Sequence, residues 1–152
     1  MADLLSFELS LVELAHKWRR VVDDELRPFG LSQATWRTLY FISRTGGEIP
    51  QKGLAFAIGI EGPSLVHLLD QLENVGLIER RVSRTDRRAK SVHLLDKGST
   101  QVEIIQDVLS QVRHRLLDDI DPAQLESCSE VFAQILDNAE NGKPAQMVTG
   151  DV

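Results

Sequence analysis

The stretch Gly76-Leu77-Ile78-Glu79-Arg80-Arg81-Val82-Ser83-Arg84-Thr85-Asp86-Arg87-Arg88-Ala89-Lys90-Ser91-Val92-His93-Leu94 decides how the rest of the chain is read. Two β-prone runs, Leu77 to Val82 and Ala89 to Leu94, flank turn-forming and basic residues, the pattern of a hairpin with a long tip. Between Glu79 and Lys90, six basic residues (Arg80, Arg81, Arg84, Arg87, Arg88, Lys90) stand against two acidic ones (Glu79, Asp86), a local charge of +4. Just upstream, Ser64 to Asn74 is a short helical pattern that fits a DNA groove. A groove-sized helix followed by a basic hairpin predicts a winged helix-turn-helix whose wing is the hairpin.

The sequence has 152 residues, 42% of them hydrophobic, enough for one domain with a packed core and too short for two large ones. The net charge is −6, which at first sight disfavours nucleic acid. Setting aside the +4 hairpin leaves −10 for everything else, so the field is polarised. A basic patch on an acidic body draws DNA to one face and repels it from the others. A solvated charged hairpin without a partner is the plainer alternative, and the helical segment upstream weighs against it. No apolar run reaches the ~18 residues of a membrane span, and Asp3 and Glu8 interrupt any secretory signal early. The single cysteine, Cys128, excludes an internal disulfide framework and fits a reducing, cytoplasmic setting. No membrane partner is expected.

Upstream, Leu4, Phe7, Leu11, Leu14, Trp18 and Val21 recur at spacings of three and four over residues 3 to 27, a heptad-like stripe. Asp3 can cap this helix and Pro28-Phe29-Gly30 stops it. A second helix follows Ser32 as N-cap, with Trp36, Leu39, Tyr40 and Ile42 inward and Gly46-Gly47 at its end. Ile49-Pro50 resets the chain. Gln51 to Ile58 is a third helix, too short to stand without packing, and Gly59 makes the turn into a fourth. Pro63 is expected at the first position of helix four. There Leu65, Leu68, Leu69 and Leu72 form a buried stripe, while Ser64, His67, Gln71 and Asn74 form a polar one suited to base edges. Gly76 is placed for a C-cap. Past the hairpin, Asp96 is expected to cap a long helix with the stripe Val102, Ile105, Leu109, Val112 and Leu116. Asp121-Pro122 starts a last helix with Leu125, Val131, Phe132, Ile135 and Leu136 inward.

The predicted fold is mainly α with a small β-hairpin. A winged helix-turn-helix region (30–95) lies between an N-terminal dimerisation helix (1–29) and C-terminal dimerisation helices (96–141), with a tail (142–152) expected to be disordered. Apolar stripes at both ends of the sequence suggest a homodimer.

These residues resemble the MarR family of regulators, and within it the SlyA-like group. The blocks that carry the resemblance are Ala57-Ile58-Gly59-Ile60-Glu61, Pro63-Ser64-Leu65-Val66, Leu69-Asp70-Gln71-Leu72-Glu73, Gly76-Leu77-Ile78 and Asp86-Arg87-Arg88-Ala89-Lys90. The resemblance implies a homodimeric winged-helix repressor or activator, tuned by small, often aromatic or phenolic, anions. Three positions depart from it. An arginine usually stands where His67 is, a polar or basic residue often where Phe56 is, and a threonine cap where Leu95 is.

Arg87 and Arg88 are read as arginines for a narrow, A/T-rich minor groove, where negative potential is concentrated. Asp86, two residues before Arg88, is read as orienting it, as an Asp-x-Arg pair does at the wing tip in similar proteins. Arg80, Arg81, Arg84 and Lys90 are read as phosphate contacts, which position without specifying. Pro63, Ser64, His67 and Gln71 are the groove-facing set on helix four, His67 being unable to form arginine's bidentate fork with guanine. His16, Trp18, Ser32, Trp36 and Tyr40 are candidates for an effector pocket, with core packing the alternative for the aromatic residues. Cys128 is expected to be buried. No phosphate loop, nucleophile elbow, zinc-protease motif or paired cysteines occur, so neither an enzyme nor a cofactor is expected. His93 and His114 lack metal-ligand spacing. A dimeric protein-interaction module of the same fold is the remaining alternative.

Overall fold

A computed structural model describes residues 3–46, 51–82 and 90–142. The chain divides into two compact units, residues 1–112 and 113–152.

In the first unit, α1 (Leu4–Leu26) begins where the Asp3 carboxylate accepts from the amide of Leu5. A 3-10 turn over Arg27–Phe29 ends it, and Gly30 supplies the positive φ of 73° that the reversal needs. The helix α2 (Gln33–Arg44) starts as expected, with the Ser32 hydroxyl accepting from the amide of Thr35. The indole Nε1 of Trp36 donates to Asp23 Oδ1 over 2.8 Å and pins α2 to α1.

The short α3 (Gln51–Ile58) survives by packing: Leu54, Ala55 and Ile58 are all buried. The next helix, α4, runs over Gly62–Asn74 with Glu61 at its N-cap. Pro63 therefore stands at the second helical position rather than the first, where its missing N–H still leaves no helical bond unmade. Both helices of this pair end in one motif. After α3, Gly59 (φ 70°) donates to Phe56 O and Ile60 to Ala55 O. After α4, Gly76 (φ 73°) donates to Glu73 O and Leu77 to Leu72 O. These are paired Schellman bonds, which satisfy orphan carbonyls while turning the chain sharply. Lys97 Nζ adds a further bond to Val75 O.

The hairpin is antiparallel, β1 (Ile78–Val82) against β2 (Lys90–Leu94), in the register Ile78↔Leu94, Arg80↔Val92 and Val82↔Lys90. The long α5 (Asp96–Leu117) starts from Leu95, whose carbonyl accepts the first helical bond, from Ser99 N. Asp96 lies inside the first turn, so it complements the helix dipole without being the N-cap that the sequence led us to expect. One core joins these elements through Val22, Leu26, Leu39, Ile42, Leu54, Leu65, Leu69, Ile78, Val92 and Ile105.

The stripe of α5 is covered within its own chain as far as Val112, since Val102, Ile105 and Val112 are buried and Leu109 is half-buried, while Leu116 beyond them is exposed. The stripe of α1 is not. Val22 and Leu26 are buried, whereas Leu4, Leu5, Phe7, Leu9, Val12 and Leu14 are exposed, Leu4 by 79%. In the second unit, the Asp121 carboxylate accepts from Ala123 N at the start of α6 (Pro122–Asn141). Val131, Phe132, Ile135 and Leu136 are exposed, contrary to the inward reading, and Cys128 is exposed rather than buried.

Candidate nucleic-acid interface

Helix α4 is built with three faces. Leu65, Leu69 and Leu72 go into the core, with Leu68 half-buried beside them. Ser64, His67, Gln71 and Asn74 share an exposed stripe, as the 3.6-residue period requires, with Pro63 at its N-terminal end. His67 Nε2 and Gln71 Nε2 approach to 3.1 Å across one turn, so each steadies the other. Asp70 and Glu73 occupy a third face, and it is turned toward the hairpin.

There the guanidinium of Arg80 meets them. Its Nη2 lies 2.6 Å from Asp70 Oδ1 and 2.5 Å from Glu73 Oε2, while Nε donates to the same Oε2 over 2.9 Å. The backbone N–H of Arg80 donates to Glu73 Oε1, also over 2.9 Å. The Arg80 side chain and then its main-chain N–H hold the Glu73 carboxyl below the usual carboxylate range, against opposing effects of burial and of Asp70. The Arg80 side chain is only 18% exposed. Its guanidinium is thus committed inside the protein, where the sequence reading had placed it against phosphate. The strand period carried this information: Arg80 is two residues from Ile78 and shares its inward face.

Arg81 points the other way, is exposed, and pairs with Glu79. Lys90 is exposed at the start of β2. Much of the hairpin's charge at its base is therefore neutralised locally, so the +4 counted from sequence overstates the field of the described strands. Arg84, Asp86, Arg87 and Arg88 lie outside the described residues.

The five residues proposed for an effector pocket do not converge. Trp36 is buried, Trp18 and Tyr40 pack against the core, and the Ser32 hydroxyl caps α2. His16 lines an open groove of about 700 Å³ with Arg19, Arg20, Asp23, Asp24, Arg27 and Gln33. Ser32 lines a neighbouring one of about 470 Å³ that shares Asp23, Arg27 and Gln33. The arginines of the larger groove were missed in the sequence because they alternate with acids; Arg27 sits 2.7 Å from Asp24. Among the described residues, no cluster of His, Cys, Asp and Glu could hold a metal ion, and no helix is long and apolar enough to cross a membrane.

A helix-turn-helix with an exposed polar stripe, followed at once by a two-stranded hairpin, defines a winged helix-turn-helix protein. The chain belongs to the MarR family, whose model, described as "MarR family", matches residues 29–89. Transcriptional regulator PA3341 is 37% identical, with a TM-score of 0.83 over 89% of this chain and 98% of that one. CouR from Rhodococcus jostii RHA1, solved bound to p-coumaroyl-CoA, is 21% identical, with a TM-score of 0.73 over 95% of this chain and 96% of that one. MepR of S. aureus, solved as a DNA complex, is 20% identical, with a TM-score of 0.75 over 91% of this chain and 99% of that one. The last two likenesses are of fold.

Proposed function

We propose that the chain is a homodimeric, sequence-specific DNA-binding transcriptional regulator, reading a pseudo-palindromic A/T-rich operator. Helix α4 enters the major groove and the wing follows the minor groove. The observation that carries this reading is the exposed stripe Pro63, Ser64, His67 and Gln71 beside a hairpin base. Exposed polar side chains such as Ser64, His67 and Gln71 suit base edges, where donors and acceptors are read. Arg81, Arg84 and Lys90 supply phosphate contacts and Arg87 and Arg88 the minor-groove contacts, with Asp86 orienting Arg88; Arg80 drops out of the contact set. That MepR was solved with DNA supports the same use of this fold.

Dimerisation is supported by the uncovered apolar residues of α1 and α6. Selection from random DNA tests the whole reading. It should recover a two-fold site with half-sites about 10 bp apart, set by the dimer axis. Recovery of no sequence at all would favour a protein-interaction module of the same fold.

The effector assignment moves with the geometry. A small aromatic anion is better served by the groove of His16, Arg19, Arg20 and Arg27 than by the core aromatics, and the CouR complex supports an effector of aromatic character. Aromatic acids at 100 times their Kd should raise stability by roughly 2.7 kcal/mol, readable as a melting shift that Arg19→Ala abolishes.

A further inference from the structure

We infer that Arg80 is a positioning residue for DNA binding, which locks the wing to helix α4 through Asp70 and Glu73. The inference rests on the DNA-binding reading above.

Three features make the contact a lock. Asp70 and Glu73 are one helical turn apart on the face of α4 turned to the hairpin, so a single guanidinium spans both. Glu73 holds both parts of Arg80, its Oε1 taking the main-chain N–H and its Oε2 the side chain. The strand's path and the arginine's rotamer are therefore fixed by one carboxylate. The Gly76 turn sets the remaining degree of freedom, because its two main-chain bonds fix where β1 leaves α4.

Electrostatics alone would argue for a different cluster. Two carboxylates and one guanidinium carry a net −1 next to a surface meant for a polyanion. Such a cluster benefits DNA binding only through the geometry it imposes. The lever is long: five strand residues span about 17 Å, so a tilt of about 10° at the base moves the far end by roughly 3 Å. That is enough to lose a phosphate hydrogen bond.

The test compares Glu73→Gln, Asp70→Asn, Arg80→Met and Arg80→Lys with wild type on the DNA that wild type selects, across a salt series. Glu73→Gln and Asp70→Asn each remove a negative charge, so Coulomb's law alone would tighten binding. The lock requires the reverse, a loss of about 10-fold or more. Arg80→Met should weaken binding with the slope of log affinity against log salt unchanged, and Arg80→Lys should recover part of the loss. A second readout needs no DNA. Spin labels at Val82 and Asn74, both exposed, should give a narrow distance distribution in wild type and a broad one in Glu73→Gln and Arg80→Met, with helical content retained.

Tighter binding by Glu73→Gln overturns the inference. So does a slope reduced by about 0.9 in Arg80→Met, the signature of one lost phosphate contact. Unchanged distance distributions overturn it as well. A wild type that selects no DNA sinks the underlying reading, and the positioning role with it; variants that bind like wild type sink the positioning role alone.

Discussion

Gly98 in α5 lies so close to Leu77 that a Cβ on it would stand 2.0 Å from the Leu77 carbonyl oxygen. That oxygen also accepts from Leu95 N over 3.0 Å, so it cannot move aside without breaking the joint between hairpin and helix. Gly98→Ala should destabilise the protein by about 1–3 kcal/mol or more, as overpacking against rigid backbone does. Urea unfolding measures it; a stability equal to wild type would show that the start of α5 can shift freely.

Thr38 should behave in the opposite sense. Its side chain is fully buried in α2 and its hydroxyl has no hydrogen-bond partner. Thr38→Val keeps the branched shape and removes the unpaired group, so stability should rise by roughly 1 kcal/mol. A loss measured by thermal unfolding would mean that the hydroxyl is satisfied in solution.

The sequence made the helices of the first unit and their turns legible to within a residue or two, because period, caps and positive-φ glycines agree at Ser32, Gly59 and Gly76. What it hid were matters of partnership. Arg80 reads the same whether it faces a phosphate or a carboxylate, and only the alternation from Ile78 separates the two. Gly98 carries no visible signal, since its role is set by a carbonyl from another element. The stripes of α1 and α5 look alike on paper; that of α5 is mostly covered by its own chain and that of α1 lies open for half its length, a difference that depends on which helices stand alongside.

That difference sharpens the case for a dimer. Phe7 and Leu14 are exposed on α1, and a partner subunit burying them would not tolerate charge. Phe7→Glu with Leu14→Glu should weaken association by about 3–5 kcal/mol, the scale of an unpaired buried charge. Sedimentation at micromolar concentration should then show dimeric wild type and a monomeric variant. A folded wild-type monomer would rule out the dimer.

Acid should loosen the hairpin. The Glu73 carboxyl is held below its ordinary value by Arg80, so its contribution is fully present above the usual carboxylate range near ~4.3. It is lost as pH falls through the lower, folded-state value. Spin-label distances between Val82 and Asn74 should stay narrow at neutral pH and broaden in acid. In Glu73→Gln they should already be broad at pH 7 and change little. An equally narrow distribution in both proteins at all pH values would separate Glu73 from the hairpin's orientation.

The exposed residues of α4 should tune sequence preference. His67→Ala should cost about 1–3 kcal/mol on the selected site and relax the preference at one position per half-site. Selection repeated with the variant reads this directly, and an unchanged consensus would remove His67 from the base contacts.

The most direct measurement of the central claim is the affinity of the protein for its selected DNA as a function of salt. If the two wings and reading helices together neutralise roughly 6–10 phosphates, affinity should fall about 10³–10⁵-fold between ~50 and ~200 mM salt. A flat response over that range would contradict DNA binding by this face of the protein.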